Sequence, residues 1–128
     1  MRLLLDTCAF LWLIAGGREL SATAESLFRD PANSVFLSPV SFWEIVVKHR
    51  LGRLPLPEPP QVFVPRQREQ HRILSLPLDE EAVRQLARLP DYHKDPFDRM
   101  LICQAIAQGL VILTPDPDIT RYPLRTAW

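Results

Sequence analysis

The stretch RLLLDT, residues 2–7, decides the fold. Three consecutive leucines leave no polar face, so the run reads as a strand buried on both sides, the signature of a parallel sheet covered by helices. The run stops at Asp6, and Thr7 to Ala15 reads as the helix that follows, ended by Gly16 and Gly17. A strand, a polar residue at its carboxyl end and then a helix is the opening of an alternating α/β chain. In such sheets the functional crevice lies where the strands end.

The same alternation continues outward from this stretch. Ser21 caps a helix running to about Arg29, and a turn at Asp30-Pro31 with Asn33 leads into the apolar run Val35 to Leu37. A third helix begins near Ser41 and carries Glu44 and Lys48 until Gly52. Prolines 55, 57, 59, 60 and 65 mark an extended arm from Arg53 to Pro65, leading into a short helix and suited to packing on a partner subunit. Ile73 to Leu76 reads as a short strand, and Asp79 starts a helix through Leu89. Asp95 caps a helix with Pro96 in its first turn, ended by Gly109. Val111 to Leu113 is a strand and Leu124 to Trp128 a last short one. The expectation is one α/β domain over residues 1–128, with a central, mainly parallel sheet.

Charge excludes one simple class. Fifteen basic and fifteen acidic residues cancel, so binding to nucleic acid must come from a local patch rather than from overall charge. Cys8 and Cys103 lack the spacing of a zinc site or a disulfide framework and read as buried free thiols. The first residues carry no charged leader, and no apolar run approaches the roughly 20 residues that span a bilayer. The expectation is a cytoplasmic protein without a membrane segment.

Four acids stand where this topology brings chain segments together: Asp6 after the first strand, Glu44 in SFWEIVV, Asp98 in DPFDRMLICQAIA and Asp116 in LTPDPD. Carboxylates about 5 Å apart repel by roughly 3 kcal/mol per pair at an effective dielectric near 20, so a convergent set calls for a cation. Hard oxygen donors at an open site suit Mg²⁺ or Mn²⁺ and the hydrolysis of phosphodiesters. Each acid also has a local reading. Asp6 serves as a helix cap, Glu44 pairs with Lys48 one turn on, and Asp95 and Asp98 form a capping pair. Asp116 shares its turn with a competitor, Asp118. Thr7 offers a hydroxyl to a carboxylate, Arg99 a partner for phosphate or acid, and Thr114 stands just before Asp116. His93 and Lys94 read as solvated loop residues. Trp12, Phe42 and Trp43 divide between core packing and a partner groove.

The motifs LLLDT, SFWEI with Lys48, HKDPFDRMLICQA and LTPD, in this order, resemble the PIN-domain family, and most closely the toxin ribonucleases of VapBC-type toxin–antitoxin modules. The resemblance implies a three-layer α/β/α fold, Mg²⁺- or Mn²⁺-dependent cleavage of RNA, a homodimer and inhibition by a cognate antitoxin. It assigns Asp6, Glu44, Asp98 and Asp116 as the acidic quartet; the reading of the residues adds Thr7, Asp95, Arg99 and Thr114 as supporting or substrate-touching residues. Cys8 departs from the His common at its position, and LTPDPD from a Thr-Ala-Asp turn. The alternatives are a non-catalytic module binding metal and a protein partner, or a phosphatase with Asp6 as nucleophile, whose pattern wants an acid where Cys8 stands.

Overall fold

The computed structural model of the chain describes all residues, 1–128. Five parallel strands, β1 (Arg2–Leu5), β2 (Ser34–Leu37), β3 (Leu74–Ser75), β4 (Val111–Leu113) and β5 (Thr126–Ala127), form one sheet in the order β3-β2-β1-β4-β5. The chain steps outward from β1 to β2 and β3, then crosses back to β4 on the other side of β1. The reversal of direction therefore opens between β1 and β4, where crevices form in such sheets.

Strand periodicity builds two cores. Leu3, Leu5, Val35, Leu37, Val111 and Leu113 face one side, while Leu4 and Ile112, the residues between them, face the other. The first side is covered by α1 (Thr7–Ala15), α2 (Ala22–Arg29) and α4 (Pro60–Gln70), through Phe10, Leu13, Ala24, Phe63 and Val64. The second is covered by α6 (Pro96–Gln108) and α7 (Pro117–Thr120), through Leu101, Ile102, Ala105 and Ile119, with α5 (Glu80–Leu86) packed on α6. The remaining helix, α3 (Pro39–Arg50), contributes Val40 to the second core and Ile45 to the first, so it crosses the sheet's carboxyl edge. The architecture is the expected α/β/α sandwich.

Local chemistry fixes most helix ends. Ser21, Ser38, Asp79 and Asp95 each accept a backbone N–H from the first turn of the helix they cap. Gly109 closes α6 at φ 67°, a left-handed conformation that costs a side-chain-bearing residue about 1 kcal/mol.

Two expectations change here. The proline-rich segment is not an arm: Leu54 and Leu56 fold back onto the first core, and the helix already starts at Pro60, with Pro65 inside it. Burial of Phe63 and Val64 outweighs the hydrogen bond that Pro65 cannot donate. Cys103 is buried as expected, whereas Cys8 is exposed.

Candidate active site

Asp6 ends β1 and caps α1. Its Oδ1 accepts the Ala9 N–H at 2.6 Å and its Oδ2 accepts the hydroxyl proton of Thr114, the residue that follows β4. Thr114 Oγ1 in turn accepts the Asp116 N–H at 3.0 Å, so one threonine joins two of the four acids across the β1–β4 junction. The capping and functional readings of Asp6 are thus compatible: one oxygen caps and the other holds the junction.

Glu44 lies one turn into α3, 4% exposed. Thr7 donates to its Oε1 at 2.6 Å, and Lys48 donates to its Oε2. The Thr7 hydroxyl also stands 3.0 Å from Ser41 Oγ. A carboxylate this deeply buried needs such partners, because an unpaired one would sacrifice several kcal/mol of hydration. The i, i+4 pair with Lys48 is therefore real but is no surface ornament. Partial desolvation pulls the Lys48 amine down, and the hydrogen bond and charge of Glu44 more than reverse this, so its pKa is raised overall.

Asp98 sits in the first turn of α6, its N–H donated to Asp95 Oδ1 at 2.9 Å. Asp95 is the cap, as expected. Asp98 Oδ2 lies 3.2 Å from His93 Nε2. Asp116 caps the short α7, its Oδ1 accepting the Asp118 N–H at 2.9 Å, while Asp118 itself is exposed and faces Arg121. Of these two aspartates, Asp116 is the one tied to the β1–β4 junction, through its N–H bond to Thr114. Asp98 Oδ1 and Asp116 Oδ2 accept no hydrogen bond from the protein.

Electrostatics ties the four together. Burial raises the Asp6 carboxyl to about 6 against the help of Thr114 and Ala9, and the charges of Asp116 and Glu44 add to the rise. Burial, then the charges of Asp95, Glu44 and Asp116, raise Asp98 to about 7, with His93 opposing. Desolvation, followed by the charges of Asp6 and Glu44, pushes the Cys8 thiol up to about 11, which keeps it protonated and a poor nucleophile. Four chain segments thus share one negative potential.

The expected convergence needs one correction. No three carboxylate, imidazole or thiol groups are gathered closely enough to surround an ion. Like charges hold apart when each carboxylate can take a proton donor of its own, and Asp6 and Glu44 do so with both oxygens. The donor set nonetheless suits a hard divalent cation: all four candidates offer carboxylate oxygen. The raised carboxyls of Asp6 and Asp98 reflect burial first and neighbouring negative charge second, and a cation would favour the ionised form against both.

Among the supporting residues, Thr7 and Thr114 hold acids directly. Arg99 turns away, donating to the Pro90 carbonyl at 2.8 Å, to the Tyr122 hydroxyl at 3.0 Å and to Asp91 at 3.0 Å. Its ion pair is with Asp91 and not with the quartet. Lys94 is exposed as expected. His93 is no solvated loop residue: its side chain is 12% exposed and lies between Asp98 and Tyr122. Tyr122 itself escaped the sequence reading, because its role shows only in contacts made 29 residues away. Of the three aromatics, Phe42 packs on the core and Trp12 meets Trp128 edge to face. Trp43 is 59% exposed against Phe97, its centroid 4.8 Å away.

Known proteins share this fold. The chain superimposes on the structure of VapBC2 from Rickettsia felis bound to a DNA fragment from their promoter, with a TM-score of 0.75, 16% identity and coverage of 100% of this chain and 99% of that one. DNA-bound VapBC from Salmonella typhimurium gives 0.69 at 19% identity, covering 99% and 97%. VapBC-5 of Mycobacterium tuberculosis gives 0.55 at 22% identity, covering 94% and 89%. At these identities the likeness establishes the fold. In sequence, 40 residues are 48% identical to Ribonuclease VapC16 of Mycobacterium tuberculosis, a stretch that is 31% of this chain and 28% of that relative. The PIN domain profile matches residues 3–124, which takes in every strand-end acid and both cores, and the chain accordingly belongs to the PIN domain family.

Proposed function

We propose that the protein is a divalent-metal-dependent endoribonuclease acting as the toxin of a toxin–antitoxin pair. Asp6, Glu44, Asp98 and Asp116 form its acidic site, and Mg²⁺ or Mn²⁺ is its cation. The observation that carries this reading is that Thr114 joins Asp6 and Asp116 across the β1–β4 junction while the charges of Glu44 and Asp116 reach both Asp6 and Asp98, whose carboxyls are raised to about 6 and about 7. Membership in the PIN domain family and the short, close match to Ribonuclease VapC16 support it.

A bound cation would neutralise the acids and act as a Lewis acid toward the phosphodiester. The chain's own part is positional. Thr114 fixes Asp6 and the backbone of Asp116 together, so the β1 and β4 ends keep one spacing. Thr7 and Lys48 fix Glu44 from the α3 side. Lys48, 44% exposed at its side chain, also leaves a positive charge at the rim where a phosphate backbone would pass.

The solved VapBC complexes support a cognate antitoxin as partner, and the exposed Trp43 and Leu51 of α3 supply apolar surface for a protein to cover. A homodimer and a cytoplasmic setting belong to the same proposal; no helix is long and apolar enough to cross a membrane. The phosphatase alternative loses ground, because both Asp6 oxygens accept hydrogen bonds and Cys8 stands where a second acid is needed.

The test is cleavage of a panel of structured RNAs by purified protein in Mn²⁺ or in EDTA, alongside Asp6→Asn. Cleavage that requires both the metal and Asp6 is the expected result. Cleavage that survives EDTA or the substitution overturns the assignment.

A further inference from the structure

Tyr122 is 3% exposed, and its hydroxyl oxygen has three polar neighbours. The backbone N–H of His93 lies at 3.2 Å, Arg99 Nη1 at 3.0 Å and His93 Nδ1 at 2.8 Å. The first two can only donate. A phenol has two acceptor sites and one proton, so those donors fill the acceptor sites and the proton is left for Nδ1. A neutral imidazole accepting at Nδ1 carries its own proton on Nε2. That nitrogen lies 3.2 Å from Asp98 Oδ2.

We infer that Tyr122 is a positioning residue for the acidic site: by fixing the Nε2–H tautomer of His93 it holds Asp98 by Oδ2 and presents Oδ1 as the free oxygen. This rests on the proposed reading of Asp98 as a cation-holding acid. Once Asp98 is ionised, the other tautomer would set the Nε2 lone pair against the lone pairs of Oδ2, and the carboxylate would turn away. The orienting partner of a ligand is commonly worth 10–100-fold in metal affinity, which is the scale expected here.

The network is braced so that the geometry holds. Arg99 ties the Pro90 carbonyl to α6, and Arg121 donates to the Tyr92 carbonyl at 3.2 Å, so the loop carrying His93 is fastened at both ends. Tyr92 packs edge to face on Tyr122 with centroids 5.0 Å apart. Sequence distance hides all of this, since Tyr122 lies 29 residues from His93.

The experiment combines a spectroscopic and a binding readout. Long-range ¹H–¹⁵N spectra of the metal-free protein at alkaline pH report which ring nitrogen bears the proton. With three histidines in the chain, the His93→Gln spectrum identifies the His93 signals by their loss. The expected result is a protonated Nε2 and a bare Nδ1. Mn²⁺ titrations then compare the wild type with Tyr122→Phe, His93→Leu and His93→Gln, the fold of each checked by near-ultraviolet circular dichroism in EDTA. Tyr122→Phe and His93→Leu should bind about tenfold more weakly. His93→Gln keeps an N–H near the Nε2 position and should stay within about threefold of wild type.

A proton on Nδ1 overturns the inference. So does wild-type affinity in Tyr122→Phe and His93→Leu, or a His93→Gln as weak as His93→Leu. Should Tyr122→Phe not fold, the two His93 variants decide. A wild type that binds no Mn²⁺ defeats the proposed function instead, and the tautomer alone then decides this inference.

Discussion

Asp6 sits in a place that favours the carboxylic acid over the carboxylate. Lifting its pKa from 3.8 to about 6 means that ionisation in the folded protein costs about 3 kcal/mol more than in the unfolded chain. The sign follows from proton binding: between these values the folded state holds the proton more tightly. The associated stability is therefore fully present below about pH 4 and is lost as pH rises through about 6. Asp98 extends the same loss toward pH 7. In EDTA, the wild type should gain stability on going from pH 8 to pH 5 relative to Asp6→Asn, whose amide does not titrate. Thermal melts of the two proteins across this range check it, and parallel curves would refute the buried-carboxyl account. Glu44 differs from Asp6 in having a cation, Lys48, at hand. Both acids take a threonine hydroxyl, but the second donor differs: Asp6 has the Ala9 amide and Glu44 a counter-charge.

At the scale of the element, α6 shows how a cap and a charge can be told apart. Asp95 holds the helix start through its bond to the Asp98 N–H, and its charge also raises the Asp98 carboxyl. Asp95→Asn keeps the cap, since Asn and Asp cap about equally well, and removes the charge. The expected outcome is a fall of the Asp98 pKa from about 7 with global stability at pH 7 unchanged or slightly raised. A ¹³C titration of the carboxyl and a denaturant melt measure the two effects, and an unmoved Asp98 would reject the coupling. This helix was legible in the sequence because its signals are local: Asp95, Pro96 and Gly109 each act within a turn. The α4 segment was not, because five prolines argue locally for an extended chain. The burial of Phe63 and Val64 is a tertiary effect that no window of sequence contains. The site divides the same way. The positions of Asp6, Glu44, Asp98 and Asp116 in the fold could be read from nearby strands and helices, as candidates for the proposed site. His93 could not, because half of what holds it is a tyrosine beyond β4, and Cys8 was misplaced because the facing of a short apolar helix is poorly fixed by its pattern.

For the molecule as a whole, stability and the site are linked through charge. The acids repel one another, so a cation bound to the folded state alone should raise the melting temperature by mass action. At ten times its dissociation constant, Mn²⁺ would contribute about 1.4 kcal/mol, or roughly 3–5 °C for a domain of this size. Asp98→Asn should melt above the wild type in EDTA and gain less from the metal. Differential scanning calorimetry with and without Mn²⁺ checks this, and equal gains in both proteins would remove Asp98 from the cation's reach.

The hydrogen bond from Thr114 to Asp6 joins residues 108 positions apart, and β1 finds its β4 partner only across most of the chain. During synthesis Asp6 emerges first and has nothing to hold it. At about 5–20 residues per second, roughly 5–20 s pass before Thr114 is made, and longer before it clears the ribosome. In a nascent chain Asp6 therefore stays without its Thr114 partner; the junction between the two strand ends forms only once β4 can reach β1.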